Sequence, residues 1–161
     1  MNNAETIQIR PMQAEDVAAC AHIMAGNALW QRYGVTPETA LARFEKAFAE
    51  KASILVADSS GRAVGFCWYH LKGAFNRSGY IQLIGVDPAC KGQGTGKLLL
   101  FQAEKIVMQV SDDMFLTVSD FNTSAQAFYQ KLGYDFVGEI PDYVLPGITE
   151  KIMRKKLVRE P

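Results

Sequence analysis

The residues with the most chemical content run from Ile84 to Lys97: Ile-Gly-Val-Asp-Pro-Ala-Cys-Lys-Gly-Gln-Gly-Thr-Gly-Lys. Gly92, Gly94 and Gly96 fall within five positions, so a backbone can pass close to a ligand. Leu98-Leu99-Leu100 follows, and the loop therefore opens a helix. The first turn of a helix offers unpaired N–H groups and a positive dipole end, which suits phosphate. Two familiar phosphate loops fail on spacing. A Walker loop, G-x-x-x-x-G-K-[ST], needs glycine where Lys91 stands and a hydroxyl residue where Leu98 stands. A dinucleotide fingerprint needs G-x-G-x-x-G, whereas the spacing here is G-x-G-x-G. A turn without a ligand needs only one or two glycines.

Other reactive side chains are sparse. Cys20, Cys67 and Cys90 sit at unrelated spacings with no C-x-x-C pair, which points to reduced thiols in a cytosol. His22 and His70 are too few for most zinc sites, so no metal is expected. A Cys90 acyl-enzyme would need a histidine within reach, and the count disfavours it. Seventeen Lys+Arg balance seventeen Asp+Glu, so no broad footprint for nucleic acid exists. The basic cluster Arg154-Lys155-Lys156 with Arg159 reads as the solvated face of a last strand or tail. No apolar run approaches the ~18 residues of a membrane span, and Met1-Asn2-Asn3-Ala4-Glu5 lacks a signal-peptide core. A soluble, cytoplasmic protein is expected. At 161 residues, a single domain spanning 1–161 is expected too, large enough to bury a real core.

The elements that would position the loop follow from hydrophobic period. Thr6 to Met12 alternates as a short strand. Val17, Cys20, Ala21, Met24 and Ala28 recur at helical spacing, and Thr36-Pro37 starts a second helix with Leu41, Phe44 and Phe48 as its stripe. Ser53–Ala57 and Arg62–His70 read as a hairpin around Asp58-Ser59-Ser60-Gly61. After a loop at 71–78, Gly79–Val86 is a strand and Gly96–Val110 a helix with Leu99, Ala103, Ile106 and Val110 on one face. Met114–Ser119 is a strand. Ser124–Leu132 is a helix ended by Gly133, and strands at Tyr134–Ile140 and Ile148–Leu157 close the chain. The order βααβββαβαββ implies an α+β fold: a mixed, mostly antiparallel sheet with a central parallel strand pair and helices on both faces.

The loop resembles the acetyl-CoA site of the GNAT acyltransferase superfamily, whose form is [QR]-x-x-G-x-[GA] opening a helix. Lys91-Gly92-Gln93-Gly94-Thr95-Gly96 departs once, with Lys91 where Gln or Arg is usual. Lysine keeps the cationic donor but not bidentate geometry. Asn122 to Tyr134 resembles the family's N-x-x-A-x-x-F-Y-x-x-x-G-[FY] signature. The resemblance spans essentially the whole chain.

The resemblance implies an N-acetyltransferase using acetyl-CoA, with the pantetheine arm in a wedge between the Gly79–Val86 and Met114–Ser119 strands. Ile84, Gly85 and Val86 would pair with it like an added strand, Gly85 fitting a bulge. The Val86 N–H would meet the thioester carbonyl. The amides of Gly92, Gln93, Gly94, Thr95, Gly96 and Lys97 would hold pyrophosphate. Asn122 would cap the following helix and reach the pantetheine. Tyr129 would contact the cofactor and donate a proton to the leaving thiolate; spacing alone would make it a core residue. Many family members carry Glu in the strand before the loop, whereas Gln82 stands here and cannot take a proton. A water chain, Glu139 or Asp142 could replace it, Tyr143 is a spare acid, and His70 reads as a solvent-facing strand end. The acceptor would be a small amine or a peptide amine, near Trp30, Tyr33, Phe75, Arg77 and Tyr143. A CoA-binding sensor or subunit without turnover is the alternative. Monomer and homodimer are both open.

Overall fold

A computed structural model describes residues 6–158. Met1–Glu5 and Arg159, on which two sequence readings rested, lie outside them. The described chain forms strands β1 (Ile7–Pro11), β2 (Ile54–Ser59), β3 (Arg62–Ala74), β4 (Ser78–Val86), β5 (Asp113–Ser119), β6 (Asp135–Pro141) and β7 (Thr149–Lys156). Its helices are α1 (Val17–Ala25), α2 (Ala28–Arg32), α3 (Pro37–Ala49), α4 (Thr95–Val107) and α5 (Thr123–Lys131). One seven-stranded sheet has the order β1-β2-β3-β4-β5-β7-β6. β4 and β5 are parallel, as a strand–helix–strand crossover requires, with Gly79 opposite Met114, Tyr80 opposite Phe115 and Ile81 opposite Leu116. β1–β2, β2–β3, β5–β7 and β6–β7 are antiparallel. The mixed α+β architecture stands as expected.

Contacts divide the chain into two compact units, one formed by residues up to Trp68 with Leu83–Ala103, the other by Tyr69–Gln82 with Glu104 onward. In the first, Phe44 meets Phe66 edge-on at 4.9 Å, within a buried core that includes Cys20, Met24, Ala40 and Val56. Thr36 and Thr39 form a reciprocal cap with Pro37 at the first turn, so α3 starts where sequence placed it. Its buried face is Ala40, Phe44 and Ala47, not the expected Leu41-Phe44-Phe48 stripe, whose outer members are about 40% exposed. Small residues at 40 and 47 let the helix approach its neighbours, and size alone misled the stripe assignment. The first expected helix divides at Gly26-Asn27. Asn27 is extended and its side chain caps α2 through the Leu29 N–H, so Ala28 begins a third helix before β2.

The second unit differs most from expectation at 71–78. No long loop exists there. β3 runs to Ala74, and Phe75-Asn76 make a tight turn with both residues at positive φ, closed by the Arg77 N–H on the Ala74 carbonyl at 3.0 Å. Phenylalanine is not a turn former, and only Asn76 marks the turn locally; the Phe75 ring rests edge-on against Phe115 at 5.6 Å. On α4 the buried apolar positions are Leu99, Leu100, Ala103 and Val107. The helix ends at Val107 and Val110 is exposed, three residues short of the expected end.

Candidate functional site

Ile84, Gly85 and Val86 end β4. Glycine is required at 85 by close approach: a Cβ would lie 2.8 Å from Trp30 Cη2 and 2.9 Å from Phe66 Cε1. Trp30, expected near the acceptor, is instead buried and stacked on Phe66 at 5.8 Å. Asp87 turns the chain after Val86. Its N–H donates to the Val64 carbonyl at 2.8 Å, its carboxylate accepts the Ala89 N–H at 3.0 Å, and Arg62 Nη1 lies 3.4 Å away. Pro88–Cys90 is a single 3-10 turn and Lys91 is extended and exposed.

The loop then takes a conformation only glycine adopts freely. Gly92 has φ +77° and Gly94 φ +83°, and nothing lies within 4 Å of a Cβ built on either. The Leu98 N–H donates to the Gly94 carbonyl at 3.0 Å. The amides of Thr95, Gly96 and Lys97 therefore precede the first bond of α4 and have no carbonyl inside it. Thr95 is 1% exposed, and its Oγ1 has no hydrogen-bond partner among the described residues. The Gln93 amide donates to the Ala89 carbonyl at 3.3 Å, and the Lys97 ammonium packs 5.3 Å from the Phe101 ring centre. An open glycine cradle, helix-start amides and an orphaned buried hydroxyl fit a phosphate-bearing group.

Asn122 and Tyr129 belong to the second unit. The Asn122 oxygen accepts the Ala125 N–H at 3.2 Å and the Ser124 hydroxyl at 3.3 Å, so it caps α5 as expected and its amide nitrogen stays directed by that cap. Tyr129 is buried, edge-on to Phe128 at 5.3 Å and to Tyr134 at 5.8 Å. Behind it is a network that sequence reading missed. The Tyr134 hydroxyl donates to Glu104 Oε1 at 2.8 Å and the Lys155 ammonium to Glu104 Oε2 at 2.7 Å, with Lys155 also 5.6 Å from the Tyr134 ring centre. Glu104 is 5% exposed. A glutamate beside lysine on an amphipathic helix reads as surface, and nothing local marks it as buried.

The remaining candidates lie at the surface or in a turn. Asp142 spends a carboxylate oxygen on the Gly147 N–H, a turn role. Glu139, Tyr143, Phe75 and Arg77 are exposed. No cluster of metal-ligating side chains occurs among the described residues, and none of their helices is long and apolar enough to cross a membrane.

Residues 19–134 match the model of the acetyltransferase (GNAT) family. The chain belongs to that family. It is similar to blasticidin-S acetyltransferase of Streptomyces morookaense, 33% identical over 48% of this chain and 57% of that protein. It is also similar to a mycothiol acetyltransferase of Pseudarthrobacter chlorophenolicus, 28% identical over 81% of this chain and 43% of that protein. The chain thus spans about half the length of these curated relatives. Among solved structures, the ribosomal-protein-S18-alanine N-acetyltransferase of Escherichia coli shares the fold with TM-score 0.75 and 19% identity, over 97% of each chain. A candidate acetyltransferase from Salmonella typhimurium, solved with its cofactor acetyl-CoA, shares it with TM-score 0.72 and 19% identity, over 96% of this chain and 95% of that one.

Proposed function

We propose that the protein transfers an acetyl group from acetyl-CoA to the nitrogen of an amine. The carrying observation is the Gly92–Gly94 cradle at the start of α4, with its free amides and the buried Thr95 hydroxyl. Family membership supplies the reaction class. Bound acetyl-CoA would supply an activated acetyl group and a thiol leaving group. The amides of Gly92 to Lys97 would bind its pyrophosphate, with Lys91 as a cationic donor. The backbone of Ile84, Gly85 and Val86 would pair with the pantetheine, and the Val86 N–H would stabilise charge on the thioester oxygen. The Asn122 amide would hydrogen-bond the pantetheine. The Tyr129 hydroxyl would give its proton to the departing sulfur and regain one from solvent.

The acceptor is proposed to be a small-molecule or peptide amine. Relatives are named for an antibiotic, a small thiol and a ribosomal-protein alanine, which defines the panel. Calorimetry should show acetyl-CoA binding, and thiol release should be followed with blasticidin S, an aminoglycoside and an alanyl peptide. Binding with turnover of any amine supports the enzyme. Binding without turnover by any amine favours a CoA-binding sensor or subunit. Absence of binding ends the reading.

A further inference from the structure

We propose that Glu104 and Lys155 are positioning residues for Tyr129, acting on it through Tyr134; this rests on the acetyltransfer reading above, with Tyr129 as its acid. All four residues lie in the second unit, and Glu104, Tyr129 and Tyr134 are buried. Tyr134 holds Tyr129 at two places. Its N–H donates to the Tyr129 carbonyl at 3.1 Å, where the Leu132 N–H also arrives at 3.0 Å. Its ring meets the Tyr129 ring edge-on, with centres 5.8 Å and planes 65° apart. Phe128 supplies a second edge-on contact at 5.3 Å. Tyr134 is held in turn. Glu104 Oε1 on α4 accepts its hydroxyl at 2.8 Å. The Lys155 ammonium on β7 donates to Glu104 Oε2 at 2.7 Å and lies 5.6 Å from the Tyr134 ring centre. The end of α5 therefore rests on a ring whose far end is tied to α4 and, through Glu104, to β7.

A phenol carries its oxygen on the long axis of the ring. A ring flip leaves that oxygen in place, and only a tilt of the axis moves it. Whatever holds the ring's neighbours therefore holds the proton. Proton transfer needs heavy atoms ~2.6–3.2 Å apart. A misplacement of ~1 Å can cost about 10²-fold in rate. Stability is a weak reason for the Glu104–Lys155 pair, because well-packed apolar residues often replace a buried ion pair without loss. Orientation is a better one. With Oε2 engaged by Lys155, the carboxylate cannot turn Oε1 away from the Tyr134 hydroxyl without breaking that ion pair. Lysine orients the carboxylate, the carboxylate orients the Tyr134 ring, and that ring orients Tyr129. None of the three has to reach the thioester; only the Tyr129 hydroxyl does.

Anchoring and packing separate in a small set of full-chain variants. Tyr134→Phe keeps the ring and the Glu104–Lys155 pair and removes only the tie between them. Glu104→Met with Lys155→Met removes carboxylate and cation together, so no buried charge is left alone. Glu104→Gln with Lys155→Met removes the charges but leaves an amide oxygen to accept the Tyr134 hydroxyl. With a panel amine that is turned over, the first two should lower kcat toward the ~10²-fold of a misplaced acid. Acetyl-CoA affinity by calorimetry and the acceptor KM should stay as in the native enzyme. The glutamine variant should recover most of the rate. In a Tyr129→Phe background, Tyr134→Phe should cost nothing further, because the hydroxyl it positions is gone. A merely structural role would lower kcat by the same factor in both backgrounds. Aromatic NMR without acceptor should show the Tyr129 ring flipping faster in Tyr134→Phe than in the native protein. A native kcat in Tyr134→Phe, an equal further loss in the Tyr129→Phe background, or equal impairment of the methionine and glutamine variants overturns the proposal. Should the methionine pair fail to fold, the Tyr134→Phe cycle decides. A native rate in Tyr129→Phe alone would instead overturn Tyr129 as the acid, and failure of the native protein to bind acetyl-CoA would overturn the acetyltransfer reading.

Discussion

A side chain at position 94 meets two separate obstacles. Nothing crowds it in the folded chain, yet φ of +83° is a conformation that a β-branched residue adopts only with strain of ~1–3 kcal/mol. It would also project into the space where phosphate is proposed to sit. Gly94→Val should therefore lose acetyl-CoA binding in calorimetry while its circular dichroism and cooperative melt persist at a somewhat lower temperature. Native affinity in that variant would remove the cofactor assignment. Tyr129→Phe separates packing from proton transfer at a neighbouring scale of one atom. It keeps the ring edges against Phe128 and Tyr134 and removes the hydroxyl. Turnover should fall by about 10²–10⁴-fold with acetyl-CoA affinity nearly unchanged. A native rate at saturating acceptor would make Tyr129 a core residue only.

Between elements, the most concentrated electrostatics tie β1 to β2 and to the turn before α1. Arg10 reaches Asp16 at 2.6 Å and Asp58 at 2.7 Å, and Asp16 also accepts the Gln13 N–H at 2.8 Å. Hydrogen bonding to Arg10, then to the Gly61 N–H, holds the Asp58 carboxyl below its usual range. A depressed carboxylate contributes stability that is complete above its unfolded pKa of ~3.9 and is lost as pH falls through the lower folded value. Acid titration of the native protein below pH ~4 should therefore show a loss of stability that Asp58→Asn lacks in part. Arg10→Ala should cost about 2–4 kcal/mol in denaturant melts, because it leaves Asp16, 3% exposed, without its cation. Elements also show what sequence could convey. Thr36-Pro37 located α3 because capping is local chemistry. The Phe75-Asn76 turn was read only as part of a longer loop, because of its two positive-φ residues Asn76 alone is a turn former. The loop was legible because Gly92 and Gly94 are glycine for their positive φ, whereas Gly85 is glycine for the sake of Trp30 and Phe66, which only the fold brings to it.

For the molecule as a whole, binding to the native state alone is a stabiliser that needs no acceptor. Acetyl-CoA at a hundredfold excess over Kd should add about 2.7 kcal/mol. A domain of about this size gains roughly 2–4 °C per kcal/mol, so Tm should rise by about 5–11 °C. NAD and ATP should do much less, and a larger shift with NAD would reverse the reading of the loop.

The cysteines add a practical property. Cys20 and Cys67 are buried, and burial pushes the Cys20 thiol up to about 12, where little thiolate exists to react. Cys90 is partly exposed and sits one residue before Lys91, where the chain enters the glycine cradle. Under native conditions a maleimide should mark Cys90 first, and peptide mapping would show it. A fluorophore there becomes an optical gauge of loop occupancy. The same thiol is a source of background in any assay that counts released sulfhydryls, so Cys90→Ser is the form in which turnover is best measured.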